Sequence, residues 1–107
     1  MSNCIYTVLV CSRLDIDPKD KFPDTGSDRI VGYFFDKDEA FHYVMNNDCD
    51  IWEYTYDYAI IERVEPGFYE SAGRDDRWFF KFNHDKCEYE RIDEPDGYEH
   101  FSGFTIG

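Results

Sequence analysis

Residues 29–45 read RIVGYFFDKDEAFHYVM, an apolar run joined directly to a helical pattern. The run from Arg29 to Phe35 predicts a β-strand, because β-branched and aromatic residues favour strands. Asp36 is the predicted N-cap of a helix, and Glu39 three residues later completes a capping box. The predicted helix has one apolar stripe, formed by Ala40, Phe41, Val44 and Met45. Asn46-Asn47-Asp48 ends it after about ten residues.

One amphipathic helix needs a sheet face to cover, and the rest of the chain supplies strand patterns. These are Cys4–Cys11, Tyr58–Glu65, Arg77–Phe82 and Cys87–Ile92, with a hairpin loop predicted at Asn83–Lys86. Cys4–Cys11 is apolar on both faces, which predicts an interior strand. We therefore predict an α+β fold, an antiparallel sheet of about five strands covered by one main helix. The order is β-β-α-β-β-β, a two-layer sandwich, and residues 1–107 form a single acidic domain.

Three segments lie outside this pattern. Residues 12–28 are polar and acidic, and predict a long loop that makes the first two strands a wide hairpin. Residues 50–57 fit a strand or a helical turn equally well. The apolar residues near the C-terminus, Phe101, Phe104 and Ile106, predict a tail that docks on the domain.

The charge of the chain excludes several classes of function. The 107 residues contain 24 Asp and Glu against 11 Lys and Arg, a net charge of −13. Such a charge argues against direct binding of nucleic acid or of an anionic membrane. Disorder is also disfavoured, because 42% of the residues are apolar and 20% are aromatic. No secretory signal and no apolar run long enough to span a bilayer is visible, so we expect a cytoplasmic protein.

The sequence contains no motif that predicts catalysis, a metal site or a cofactor. The Asp-x-Asp pairs that begin at Asp15 and Asp48 lack the glycine and glutamate of an EF-hand loop. His84 and Cys87 are the nearest candidate base and nucleophile, but no oxyanion hole accompanies them. We therefore predict a non-enzymatic protein with no catalytic residues, metal or cofactor. A metal-dependent enzyme built on the carboxylates and His84 stays open as an alternative. The four cysteines, Cys4, Cys11, Cys49 and Cys87, are predicted to be reduced.

Two segments are especially acidic. Residues 36–57 contain seven acids and one base, and residues 85–99 contain seven acids and two bases. On a strand, Glu88 and Glu90 point the same way about 6.6 Å apart, because each residue rises about 3.3 Å. The candidate partner-binding residues are Asp48, Asp50, Glu53, Tyr54, Asp57, Glu88, Glu90, Asp93 and Glu94. Tyr54, Tyr56, Tyr89 and Tyr98 are the candidate aromatic anchors of an interface.

Several stretches together resemble a known family. They are Val31–Phe34, Asn47–Glu53, Tyr56–Glu62, Gly67–Tyr69, Arg77–Asn83, Glu94-Pro95 and Gly103–Gly107. The chain resembles a family of small acidic proteins of gut bacteria and their mobile elements, most of them uncharacterised. The resemblance implies no catalytic residues. The association with mobile elements implies an action on host defence nucleases, and anti-CRISPR proteins are similar in size and charge.

These observations predict an inhibitor that binds a protein. Its acidic surface would mimic nucleic acid and occupy the basic nucleic-acid-binding groove of a nuclease or DNA-binding protein, with a Cas nuclease as one candidate partner. No direct nucleic-acid partner and no membrane partner is expected. The alternative is a structural or regulatory interaction module of a mobile element, whose acidity serves only solubility and whose aromatic surface binds the partner.

Overall fold

A computed structural model of the chain describes residues 4–16, 19, 23–48, 56–65, 77–95 and 98. Its elements are β1 (Ile5–Cys11), β2 (Asp15–Ile16), β3 (Pro23–Asp24), β4 (Asp28–Phe34), α1 (Lys37–Met45), β5 (Tyr58–Val64), β6 (Arg77–Asn83) and β7 (Glu88–Ile92). Five strands form one antiparallel sheet in the order β4-β1-β5-β6-β7, with α1 against one face. This confirms the predicted α+β class. No helix among the described residues is long and apolar enough to cross a membrane.

The apolar side chains of β1 from Val8 to Cys11 are buried on both faces of the sheet, because α1 packs on one face and Tyr98 on the other. Val8 and Val10 face α1 and pack in the first core cluster, together with Ala40, Val44 and Phe80. On the opposite face, a second cluster is formed by Leu9, Cys11, Ile60, Phe79 and Tyr98. The prediction of an interior strand at Cys4–Cys11 is therefore confirmed.

Local chemistry sets the start of α1. The Asp36 carboxylate accepts a hydrogen bond from the Glu39 backbone N–H at 3.2 Å, which satisfies one of the helix's unpaired N–H groups. Ala40 and Val44 are buried as predicted, whereas Met45 is exposed. The prediction was wrong for Met45, because residue 45 lies about 100° around the helix from Val44 and away from the sheet.

Residues 12–28 contain more structure than the predicted loop. Asp15 pairs with Asp24 and Ile16 with Pro23 in a two-stranded ladder of β2 and β3. The prediction that the first two main strands are antiparallel neighbours is confirmed. β7 begins at Glu88, not at the predicted Cys87, because Cys87 has a left-handed backbone (φ 57°) and closes the hairpin turn.

Cysteine chemistry follows the prediction where the structure describes it. Cys4, Cys11 and Cys87 are thiols and not parts of disulfides. Cys49 and most of the ambiguous segment 50–57 lie outside the described residues, as does the predicted apolar tail at Phe101, Phe104 and Ile106.

Tyr98 connects the C-terminal region to the β2–β3 ladder. Its side chain is completely buried, and its ring meets Phe79 edge-on with centroids 5.8 Å apart. The Tyr98 hydroxyl donates to the backbone carbonyls of Asp15 at 2.8 Å and Asp24 at 3.1 Å. One phenol therefore connects the β2–β3 ladder to the face of the sheet opposite α1.

High pH is expected to destabilise the protein through two buried acids. Burial raises the pKa of Tyr98 from 10.0 to about 12, and burial with the nearby Asp28 charge raises the pKa of Cys11 from 9.0 to about 12. Both pKa values are higher in the folded state. Their contribution to stability is therefore complete below about pH 9 and is lost as pH rises through about 12. Tyr98→Phe should lower the free energy of unfolding by about 1–2 kcal/mol at neutral pH, because two hydrogen bonds are lost.

Urea unfolding at neutral pH and at several values between about 9 and 12 checks this expectation. The Tyr98→Phe variant should lose less stability across the alkaline range than the unmodified chain, because it has one ionising group fewer. Equal alkaline losses in the two proteins would contradict the role given to Tyr98.

Candidate protein-binding surfaces

Most of the described candidate acids lie along one edge of the sheet. We call Asp57, Glu88, Glu90, Asp93 and Glu94 the acidic edge. β7 is the outermost described strand on this side, and it carries Glu88 and Glu90 on the face opposite α1. The Asp57 carbonyl accepts from the Phe82 N–H at 2.7 Å, which places Asp57 beside the hairpin end of β6. Asp93 and Glu94 follow the other end of β7.

Three members of the acidic edge are in ion pairs. Lys86 Nζ lies 3.5 Å from Glu90 Oε2, and both side chains are largely exposed. His84 Nε2 lies 3.3 Å from Asp57 Oδ1, also at an exposed site. Arg77 lies 3.3 Å from Glu94, but its own side chain is only 3% exposed. Exposed pairs of this kind contribute about 0–1 kcal/mol, so their carboxylates can exchange to a stronger cation at little cost.

The cations of the β6–β7 hairpin do not neutralise the negative charge of the acidic edge. Arg77 is buried, and Arg91 lies over the Phe41 ring on the α1 side of the sheet. Lys81 and Lys86 remain as exposed cations near the carboxylates. Within the described residues, no hydrogen bond or ion pair involves the carboxylates of Glu88 or Asp93.

Asp48 does not join the acidic edge. It follows the C-terminal end of α1 and lies near Val8 and Phe34, on the side of the sheet formed by β1 and β4. β4 and β7 are opposite edges, separated by four strand spacings, or about 19 Å at about 4.8 Å each. The other predicted contact residues, Asp50, Glu53 and Tyr54, lie outside the described residues.

The predicted aromatic anchors are mostly buried. Tyr89 and Tyr98 are 1% and 0% exposed, so the prediction that they anchor an interface was wrong. Tyr89 packs under α1 and its hydroxyl donates to the carbonyl of Tyr56 at 2.6 Å. Tyr56 is half-buried and lies under Arg29. Tyr56, Tyr89 and Tyr98 therefore pack in or against the core, and Tyr54 lies outside the described residues.

A different set of large apolar residues is exposed. We call Ile30, Tyr33, Phe35, Tyr43 and Met45 the apolar edge, because they are the exposed large apolar residues of β4, the residue after it and α1. Tyr33 is 59% exposed and Phe35 77%, and their rings meet edge-on at 5.8 Å. The sequence pattern did not distinguish them from buried aromatics, because hydrophobicity alone does not show which strand lies at the edge.

A groove separates the C-terminal half of α1 from β4. Its cavity volume is about 250 Å³, and it is lined by Val8, Val31, Gly32, Phe34, Tyr43, Val44 and Asp48. Phe34 and Tyr43 stack at 5.3 Å and form one wall. Gly32 faces open space, since a Cβ atom added there would meet no atom within 4 Å. Asp48 is the one charged residue among the described residues of this lining.

The described residues hold no cluster of three His, Cys, Asp or Glu side chains that could bind a metal ion. Cys87 Sγ contacts the backbone carbonyl of His84 at 3.8 Å, so this contact does not pair the thiol with the imidazole ring. Comparison with known proteins gives no match among protein-family models, curated proteins or solved structures. The acidic edge and the apolar edge are therefore the two candidate surfaces for binding a partner.

Proposed function

We propose that this chain is a non-enzymatic inhibitor that binds another protein through its acidic edge. The partner is a nuclease or other DNA-binding protein, and the acidic edge occupies its basic nucleic-acid groove, as an anti-CRISPR protein would. The observation that carries the proposal is the row of carboxylates along and just after β7, of which Glu88 is half-buried and Glu90, Asp93 and Glu94 are exposed, in a chain of net charge −13.

The spacing of these carboxylates supports mimicry of a nucleic-acid strand. Glu88 and Glu90 share one face of β7 and are about 6.6 Å apart along the strand. One strand of DNA carries a negative charge about every 3.4 Å along its axis, and because the backbone winds around that axis, neighbouring phosphates are farther apart than this rise, at a separation comparable to that of the two carboxylates. A rigid sheet edge holds them at this spacing without the entropy loss that a disordered acidic tail would suffer on binding.

The ion pairs of the acidic edge also favour exchange with a partner. Glu90 lies beside Lys86 and Asp57 lies beside His84, both at exposed sites. An arginine of a groove built for phosphate can form two parallel hydrogen bonds with a carboxylate, which a lysine cannot match. Binding at Glu90 and Asp57 therefore replaces weak contacts by stronger ones, whereas Glu94 stays with Arg77, whose side chain is buried.

Competition with nucleic acid is the direct test. The purified chain is mixed with a purified Cas9-type nuclease and, separately, is used to capture proteins from a lysate of its host. Short duplex DNA or guide RNA should release the bound protein, because both ligands use the same cations. The dissociation constant should also rise at least about tenfold between about 50 and about 200 mM salt, because the contacts are ionic.

Three outcomes would contradict the proposal. The first is a bound complex from which excess DNA and RNA release nothing. The second is an affinity that is independent of salt, which would indicate an apolar interface. The third is binding to a host protein that has no nucleic-acid site, which would exclude mimicry in the same way.

A further inference from the structure

We propose that β4 accepts an extended basic segment of a partner protein as an added sheet strand, with one bulky apolar side chain of that segment in the groove beside Gly32. This site is independent of the acidic edge, which lies on the opposite side of the sheet.

The backbone of β4 is suited to accept a strand. β4 has seven residues, and β1 is its one neighbour among the described strands. Edge strands in natural proteins are protected by charges or proline, and β7 has this protection in Glu88, Glu90 and Arg91. β4 begins with Asp28 and Arg29 and has a register shift opposite Val8 and Leu9, but its residues 30–34 are Ile-Val-Gly-Tyr-Phe, with neither charge nor proline. Such an edge is the usual template for an added strand.

Gly32 borders the groove and lies next to the register shift between β4 and β1. A glycine within a strand often marks a bulge or a place where another backbone or ligand approaches closely. The cavity of about 250 Å³ is larger than the roughly 150 Å³ cavity that holds a benzene molecule, so it has room for one large apolar side chain. Its lining is apolar except for Asp48, and a side chain of the added strand that points toward α1 would enter it.

Charge complementarity selects the partner. Residues 28–48, which form β4, α1 and their connection, contain five acids and two bases, 2 − 5 = −3. Asp48 at the groove can bind a Lys or Arg beside the inserted side chain. A second copy of the chain would bring another −13, and the two would repel. The occupant is therefore an extended segment in which basic residues alternate with apolar ones.

NMR titration tests the site on the full chain. The probe is a blocked seven-residue peptide, Lys-Val-Lys-Leu-Lys-Val-Lys, matched to the length of β4. The amide signals of Ile30 to Phe34 should shift in a saturable way. Gly32→Leu should weaken binding at least about tenfold, because the leucine side chain fills the groove. The matched control is Gly32→Ala, which also removes the glycine but fills little volume, and it should weaken binding less than about threefold.

Further controls separate this site from the acidic edge. A peptide with glutamate in place of each lysine should not bind. The double variant Glu88→Lys and Glu90→Lys should keep the peptide affinity within about threefold, whatever it does to nuclease binding. Four results would overturn the proposal: shifts confined to β7, unchanged affinity in Gly32→Leu, no shift at about 1 mM peptide, or a dimer through β4 seen by analytical ultracentrifugation without peptide.

Discussion

Replacing Glu88 and Glu90 with lysine is expected to weaken binding of the nucleic-acid-binding partner at least about 100-fold. The double variant changes the net charge from −13 to −13 + 4 = −9, so most of the overall charge remains. Two attractive contacts become repulsive contacts with the basic groove, and like charges at an interface cost several kcal/mol. Isothermal titration calorimetry with the purified partner measures the loss directly. Adding Asp93→Lys and Glu94→Lys should abolish detectable binding.

The matched control is Asp15→Lys with Asp48→Lys, which causes the same change in net charge away from β7. It should alter the affinity less than about fivefold, through long-range attraction alone. Equal losses in the two double variants would show that only the total charge matters. No loss in either would favour an interaction module whose acidity serves solubility.

Replacing Phe80 with alanine is expected to bring the protein close to unfolding. Phe80 is completely buried in the first cluster and meets the Phe41 ring edge-on at 5.4 Å. Buried phenylalanine-to-alanine changes cost about 3–5 kcal/mol, while a domain of this size has about 5–15 kcal/mol in total. The melting temperature should fall by more than about 12 °C, since each kcal/mol corresponds to about 4–8 °C.

Phe35→Ala is the control for this change, because it deletes the same atoms from a side chain that is 77% exposed. Its free energy of unfolding should stay within about 0.5 kcal/mol of the parent value. Thermal and urea unfolding of both variants by circular dichroism measure the difference. Similar losses at the two positions would contradict the assignment of the core to the α1 face of the sheet.

Much of the fold could be predicted from the sequence because local chemistry decides it. The cap at Asp36 and Glu39 fixes where α1 begins, and the structure shows this hydrogen bond. The alternation in residues 77–82 places Phe80 toward α1 and Phe79 toward the other face, which also agrees with the structure. In each case the information lies within a few residues of the chain.

The candidate site could be predicted only in part, because it depends on strand order. The sequence does not show that β4 and β7 are the edges or that β5 is central, since those pairings join residues far apart. For this reason the prediction that Tyr89 anchors an interface is wrong, since Tyr89 is buried under the helix. The sequence likewise does not predict that Tyr33 and Phe35 are exposed at the sheet edge. The separation of Asp48 from Glu88 and Glu90 also follows from the strand order, which the sequence does not show.

The Tyr98 hydrogen bonds have a consequence for the order of events during protein synthesis. The carbonyls of Asp15 and Asp24 leave the ribosome 83 and 74 residues ahead of the phenol that binds them. All five strands of the main sheet are therefore synthesised before this tie can form. Since chains begin to fold from the N-terminus as they are made, the β2–β3 ladder becomes fixed in place only after Tyr98 has been synthesised and has left the ribosome.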